Sequence, residues 1–274
     1  MLALVTDSTC GLTKVEAEEL GVETVPVAYV VDGVRREEGF VGQNGEYARD
    51  LLACRRAETE AAHPSAFERA FRARRAQGED VLCLTISSRL SGTFRSAEEA
   101  ARAVDPTGEH VRVVDSWATA GALEFLVRRA HALAESGATL DEAARALTQA
   151  RADQRILFTV PDVRVLHRSG RLGAFSRAVM SKLNRYPVME LSEGAIVEVG
   201  QGRGAHGMAR ALVAEVPAGA REFVLSHFGP RGSEAREVFL AVRKRFPDAR
   251  VRVKDGGPVL AQNLGMGSVG LSWA

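Results

Sequence analysis

Short apolar runs alternate along the chain with longer stretches in which apolar residues recur at helical spacing, the pattern of strands and helices layered into an α/β fold. Residues 2–5, 25–30, 81–86 and 111–114 are apolar on nearly every position, as parallel strands covered on both faces are. Between and after them the pattern predicts helices around residues 45–54, 65–75, 95–104 and 120–135, the last stopped by Ser136-Gly137. Thr139-Leu-Asp-Glu142 has capping-box spacing and opens a further helix to about Ala152.

The rhythm changes near Arg155. A strand is predicted at residues 156–160, then a hairpin of residues 188–191 and 196–199 across Ser192-Glu193-Gly194. Helix 206–215, strand 223–226, helix 234–246 and strand 250–253 follow. The fold class is therefore α/β: a mostly parallel N-terminal sheet with helices on both faces (residues 1–154), plus a second, mixed α+β domain (residues 155–274).

Composition narrows the function classes. Lys and Arg number 36 against 35 Asp and Glu, and a net charge of +1 argues against a nucleic-acid binder held by bulk electrostatics. No apolar stretch approaches the roughly 18 residues of a membrane span, so stable membrane insertion is not expected. The beginning of the chain, a short apolar run that soon meets Asp7, is expected to be a first strand and not a signal peptide. Cys10, Cys54 and Cys83 are widely spaced without any CxxC, as reduced thiols in a cytoplasm are. The six histidines lack ligand spacing for a structural zinc.

Candidate chemistry gathers at strand ends. In Val81-Leu-Cys-Leu-Thr-Ile-Ser-Ser-Arg-Leu-Ser-Gly-Thr-Phe-Arg-Ser-Ala97 a buried strand ends, small and polar residues follow, and a helix begins. Ligands of open α/β sheets bind beyond the carboxyl ends of strands, and the N–H groups at the next helix start are free to meet an anion. Ser87, Ser88, Ser91 and Thr93 add hydroxyls and Gly92 permits close approach; equally, these residues are ordinary turn and capping types. Asp7-Ser8-Thr9 and Asp115-Ser116 end two other strands in the same way, which suggests one polar rim. Residues 164–185 carry Arg164, Arg168, Arg171, Arg177, Lys182 and Arg185 and no acid, either a solvated face or a contact surface for an acidic partner or an anionic lipid headgroup. The glycines of Gly256-Gly257-Pro258 and Gly265-Met-Gly267-Ser-Val-Gly270 permit close backbone approach, without a Rossmann or Walker fingerprint.

These segments, in this order and over the whole length, resemble the DegV family of fatty-acid-binding proteins. The match is carried by Asp7-Ser8-Thr9, Ile86-Ser-Ser-Arg-Leu-Ser-Gly-Thr-Phe-Arg-Ser-Ala97, Val114-Asp-Ser116, Leu166-His-Arg-Ser-Gly-Arg-Leu172, residues 200–203 and residues 257–270. The resemblance implies two α/β domains with a long-chain fatty acid between them and no other cofactor. It also implies a carboxylate held by hydroxyls near the strand ends, with Ser91, Gly92 and Thr93 at the headgroup. Family members that work in fatty-acid uptake present the acid to a separate fatty-acid kinase and do no chemistry themselves. If the basic segment docks such a kinase, charge reversal at Arg171 and Arg203 is expected to abolish the docking while leaving lipid affinity intact.

Two departures stand in the binding set. Where the family commonly has Thr-Ser-Gln-Pro-Ser, this chain has Ala61-Ala62-His63-Pro64-Ser65, so Ala61 replaces a hydroxyl aimed at the carboxylate. Asn263 stands where the family usually has His; it can donate an N–H but does not titrate near neutrality. Burying about 14 methylenes at roughly 0.8 kcal/mol each gives on the order of 11 kcal/mol gross, against about 1.5–3 kcal/mol for one hydrogen bond to a charged group. Binding should tolerate Ala61, while presentation of the headgroup is more exposed to the change. Two other classes compete: a serine hydrolase using Ser91 with His206 or His227, although no GxSxG elbow is present, and a phosphotransferase-like subunit, against which the loss of His at Asn263 counts.

Overall fold

The computed structural model describes residues 1–172, 185–230 and 232–274. They form three sheets. In the first, β1 (Leu2–Asp7), β2 (Val22–Val25), β6 (Asp80–Thr85) and β7 (Val111–Asp115) run parallel in the order β2-β1-β6-β7. Successive side chains of a strand face opposite ways, and both faces here are buried. Val5, Val81 and Cys83 pack with Phe67, Phe71 and Ala97 from helices Pro64–Ala76 and Thr93–Val104. Leu4, Leu82 and Leu84 pack with Leu123, Leu126 and Leu147 from helices Ala120–Glu135 and Leu140–Ala150. That two-sided burial is why the strands read as unbroken apolar runs.

The apolar run 25–30 is not one strand. Pro26 lacks an N–H for a ladder, and the chain leaves the parallel sheet there to enter a small antiparallel one. This second sheet has the order β4-β3-β5 and consists of β3 (Ala28–Val31), β4 (Val34–Glu37) and β5 (Ala57–Glu60). Its hairpin turns on Asp32-Gly33, both at positive φ (49° and 84°), the conformation that Asp-Gly turns favour.

The third sheet is mixed and comes from residues 156–273. Its order is β10-β9-β8-β13-β11-β12, from β8 (Ile156–Thr159), β9 (Arg185–Ser192), β10 (Ala195–Arg203), β11 (Glu222–His227), β12 (Arg250–Asp255) and β13 (Val269–Trp273). All neighbours are antiparallel except β11 and β12. The β9–β10 hairpin closes through Glu193 and Gly194, again both at positive φ. Helices Gly204–Ala214 and Ser233–Arg245 cover one face, where Met208, Leu212, Val238 and Val242 meet Leu157, Phe223, Leu225 and Leu271.

The other face of this sheet shares its core with helix Ala120–Glu135. Ile156, Phe158, Met189 and Ile196 belong to the same apolar cluster as Leu123 and Leu126. The first two turns of the helix are therefore wedged between two sheets, and every residue from Ala120 to Val127 is buried, as a helical stretch without a solvent face requires. A Cβ on Gly121 would meet the Val224 Cβ at 2.6 Å and the Ser272 Cβ at 3.1 Å, so only glycine lets β11 and β13 approach this closely. No helix among the described residues is long and apolar enough to cross a membrane.

Candidate functional site

Between the first and third sheets lies a narrow cavity. Its empty space is about 870 Å³ with the mouth included. Both halves of the chain build it. Ile86, Thr119 and Ala120 come from the carboxyl ends of β6 and β7, and Ile156, Phe158, Leu191, Ile196 and Gly270 from the third sheet. Helix Gly257–Leu264 adds Val259, Leu260 and Leu264.

Thr59, Ser91, Arg171 and Asn263 are half-buried and line the cavity beside half-buried Ala61 and exposed Gly92. Four of the five residues expected from the sequence, Ser91, Gly92, Ala61 and Asn263, thus share one wall. Thr93 lies behind it. Fully buried, its Oγ1 sits 2.9 Å from Ser91 Oγ and accepts the Ala62 N–H at 3.3 Å. Ser91 Oγ in turn accepts the Thr93 N–H at 3.2 Å. Ser91 is therefore a cavity residue whose hydroxyl also meets the first N–H of the following helix.

The remaining hydroxyls of the loop bind the scaffold. Ser87 Oγ donates to the Gly194 carbonyl at 2.8 Å, tying the β9–β10 turn to the β6 loop, and Ser88 is held by Asp115. Asp7 accepts the Ile86 N–H at 2.6 Å and the Thr9 hydroxyl at 2.6 Å. The strand-end acids thus lock the loops together, and of the expected rim's hydroxyl residues Thr9 and Ser91 line the cavity.

Asn263 presents the opposite of what its sequence position suggested. Its Nδ2 donates to the Val259 carbonyl at 2.8 Å and to Thr59 Oγ1 at 3.3 Å, and Oδ1 is buried without a partner among the described residues. The carbonyl contact fixes the amide's orientation, so Asn263 offers an acceptor instead of a spare N–H. Thr59 Oγ1, having accepted from Asn263, keeps its own hydrogen to give. Thr59 lies two residues before Ala61, on the same face of an extended segment.

Arg171 is half-buried, and its guanidinium donates to the carbonyls of Leu90 (3.3 Å) and Ser169. No acid pairs with it among the described residues, and burial pulls its pKa below the usual range. The nearby charge of Glu60 is matched by Arg35 at 3.0 Å. Arg164 pairs with Asp162 and Arg185 bonds Gln201, whereas Arg177 and Lys182 lie outside the described residues. Neither candidate histidine lines the cavity: His206 sits 3.1 Å from Glu237 on the surface, and His227 Nδ1 faces the Gly229 carbonyl at 2.9 Å.

The family model described as an uncharacterised protein of the DegV family matches residues 1–274. The chain belongs to the DegV family. A DegV domain-containing protein of Streptomyces coelicolor is 31% identical over 275 residues, covering 98% of this chain and 97% of that one. A DegV-family protein of Thermus thermophilus, whose solved structure is described as fatty-acid binding, is 27% identical with a TM-score of 0.87 over 99% of this chain and 98% of that one. The fatty acid kinase B3 protein of Streptococcus pneumoniae, solved loaded with linoleic acid, has a TM-score of 0.81 over 100% and 98% of the two chains. At 20% identity that last likeness is one of fold.

Within this DegV chain, sequence reasoning missed Thr59, Thr119 and the apolar wall of helix Gly257–Leu264. The last had a readable signal: Val259, Leu260, Asn263 and Leu264 stand at helical spacing after a proline that suits a first helical turn.

Proposed function

We propose that this chain binds one long-chain, palmitate-like fatty acid in the cavity, with residues 1–154 and 155–274 acting as the two lobes around it. The observation that carries the reading is the cavity's division into a narrow apolar interior and a polar, half-exposed end. An acyl chain gains from the first and a carboxylate from the second. The carboxylate is assigned to Ser91 and the backbone beside Gly92, with Thr59 giving a second hydroxyl hydrogen and Arg171 the compensating charge. The Thermus thermophilus relative, described as binding fatty acid, supports the choice of ligand.

On this reading the chain is a carrier and not an enzyme, the fatty acid being its ligand and no other cofactor being required. The hydrogen-bond partners of Ser91 Oγ support that, since a serine nucleophile needs a base within reach and these are Thr93 groups. Its place is the cytoplasm, in lipid transport or fatty-acid metabolism, where it presents the acid to a separate fatty-acid kinase. A groove on the third-sheet side lined by exposed Arg203, Arg210 and Lys244 suits an acidic docking surface on that kinase.

The test is organic extraction of the purified protein with mass spectrometry, followed by titration with labelled palmitate. One equivalent of fatty acid is expected. Absence of both a bound acid and stoichiometric uptake would overturn the reading. Arg203→Glu should abolish capture of a fatty-acid kinase while leaving palmitate affinity unchanged; undiminished capture would remove the groove from the docking surface.

A further inference from the structure

Most hydroxyls on the cavity wall already have partners. Thr9 Oγ1 donates to Asp7, Ser91 Oγ shares a hydrogen with Thr93, and Thr59 Oγ1 accepts from Asn263. Thr119 differs. It is only 7% exposed, lines the cavity, and its Oγ1 is buried with no partner among the described residues.

The position makes the orphan more telling. Thr119 is the N-cap of the 16-residue helix Ala120–Glu135 and has the extended backbone of a cap. A capping threonine ordinarily turns its hydroxyl onto the second or third N–H of its helix. Thr119 makes no such bond, so its hydroxyl stands unpaired at the wall beside Ala120. The loop that carries Thr119 is fixed from both sides: the Ser87 N–H donates to the Ala118 carbonyl at 2.9 Å, and the Arg151 guanidinium stacks 3.7 Å from the centre of the Trp117 ring.

We propose that Thr119 is a second polar station, which selects an acyl chain carrying an oxygen, hydroxyl or keto, part-way along its length. This inference rests on the fatty-acid reading above. Ser91, Arg171 and Asn263 are half-exposed at the polar end, whereas Thr119 is buried beside Ala120, so it meets the chain and not the carboxylate. A plain methylene passing it leaves the hydroxyl unpaired. A hydroxyl on the chain can give to Thr119 or take from it, because a threonine hydroxyl does both; a keto oxygen takes from it.

The experiment is displacement of a fluorescent fatty-acid probe by stearate and by hydroxystearates substituted at successive positions, on the wild type and on Thr119→Val and Thr119→Ser. One positional isomer should bind the wild type about tenfold more tightly than stearate, the weight of one net hydrogen bond. Thr119→Val should lose that preference while binding stearate at least as well, and Thr119→Ser should keep it. If stearate binds and no isomer exceeds it, or if the preference survives in Thr119→Val, Thr119 is not a ligand station and the fatty-acid reading stands without it. If stearate itself does not displace the probe, that reading falls and this inference with it.

Discussion

Ser91 and Thr93 form a hydroxyl pair at 2.9 Å in which either can donate. Thr93 Oγ1 also accepts the Ala62 N–H at 3.3 Å. With Thr93 as the donor, Ser91 has a hydrogen for a ligand in the cavity. Ser91→Ala should weaken palmitate binding by about 10- to 100-fold, the equivalent of roughly 1.5–3 kcal/mol for a hydrogen bond to a charged group. Thr93→Val should in addition cost about 1–3 kcal/mol of stability in urea denaturation, because the buried Ala62 N–H loses its acceptor. Equal binding by wild type and Ser91→Ala would take Ser91 out of the site.

The Thr59–Asn263 contact offers a way around Ala61. Thr59 keeps a hydrogen to give only while Asn263 holds its oxygen as acceptor. Thr59→Val should therefore lower fatty-acid affinity by about tenfold, on the scale of one net hydrogen bond, and Ala61→Thr in that background should restore it. Calorimetric titration of the single and double variants checks both. An undiminished affinity in Thr59→Val would leave Ala61 uncompensated.

The regular parts of the fold were legible because their burial is simple. Strands covered on both faces read as apolar runs, and the β9–β10 hairpin announced itself through Glu193-Gly194. What escaped was short or glycine-rich. Pro26 splits one apolar run between two sheets, and the Asp32-Gly33 turn was the available sign of the small sheet. β13 hides in a glycine-rich segment: Gly270 lines the cavity and Ser272 packs against Gly121 of helix Ala120–Glu135, while Val269, Leu271 and Trp273 fill the opposite face. In the site, Ser91 stood at a recognisable strand-to-helix crevice. Thr119 reads in sequence as an ordinary cap, and only coordinates reveal that its hydroxyl caps nothing.

Glu124 joins the two halves electrostatically. Fully buried, it meets Lys254 Nζ and Arg128 Nη2 at 2.8 Å and Arg252 Nε at 3.3 Å. Glu124→Gln removes the charge that three cations share, and should cost about 3–5 kcal/mol, as breaking a buried pair does. Lys254→Met should cost less, because Glu124 keeps both arginines. Urea denaturation gives the order; a larger loss for Lys254→Met would place the stabilisation in the Lys254–Glu16 contact (2.6 Å) instead.

Glu38 gives the fold a dependence on pH. It is 4% exposed, with Oε2 accepting from Ser8 Oγ at 2.7 Å and Oε1 from the Val259 N–H at 3.0 Å. Burial raises its pKa from the ordinary 4.5 to about 8, against those two hydrogen bonds, and the charges of Asp7 and Asp255 push the same way as burial. The folded chain therefore keeps a proton that the unfolded chain releases. The stability tied to that proton is fully present below about pH 4.5 and is lost as pH rises through about 8, at no more than about 1.4 kcal/mol per pH unit. Asp7, also raised by burial, acts in the same sense. Gln at position 38 can accept from Val259 and give an N–H to Ser8 Oγ, which otherwise accepts only the Val27 N–H at 3.0 Å. Glu38→Gln should thus flatten the fall in stability between pH 5 and pH 8 without abolishing it. Thermal melts of both proteins across that range decide the matter, and parallel curves would clear Glu38 of the effect.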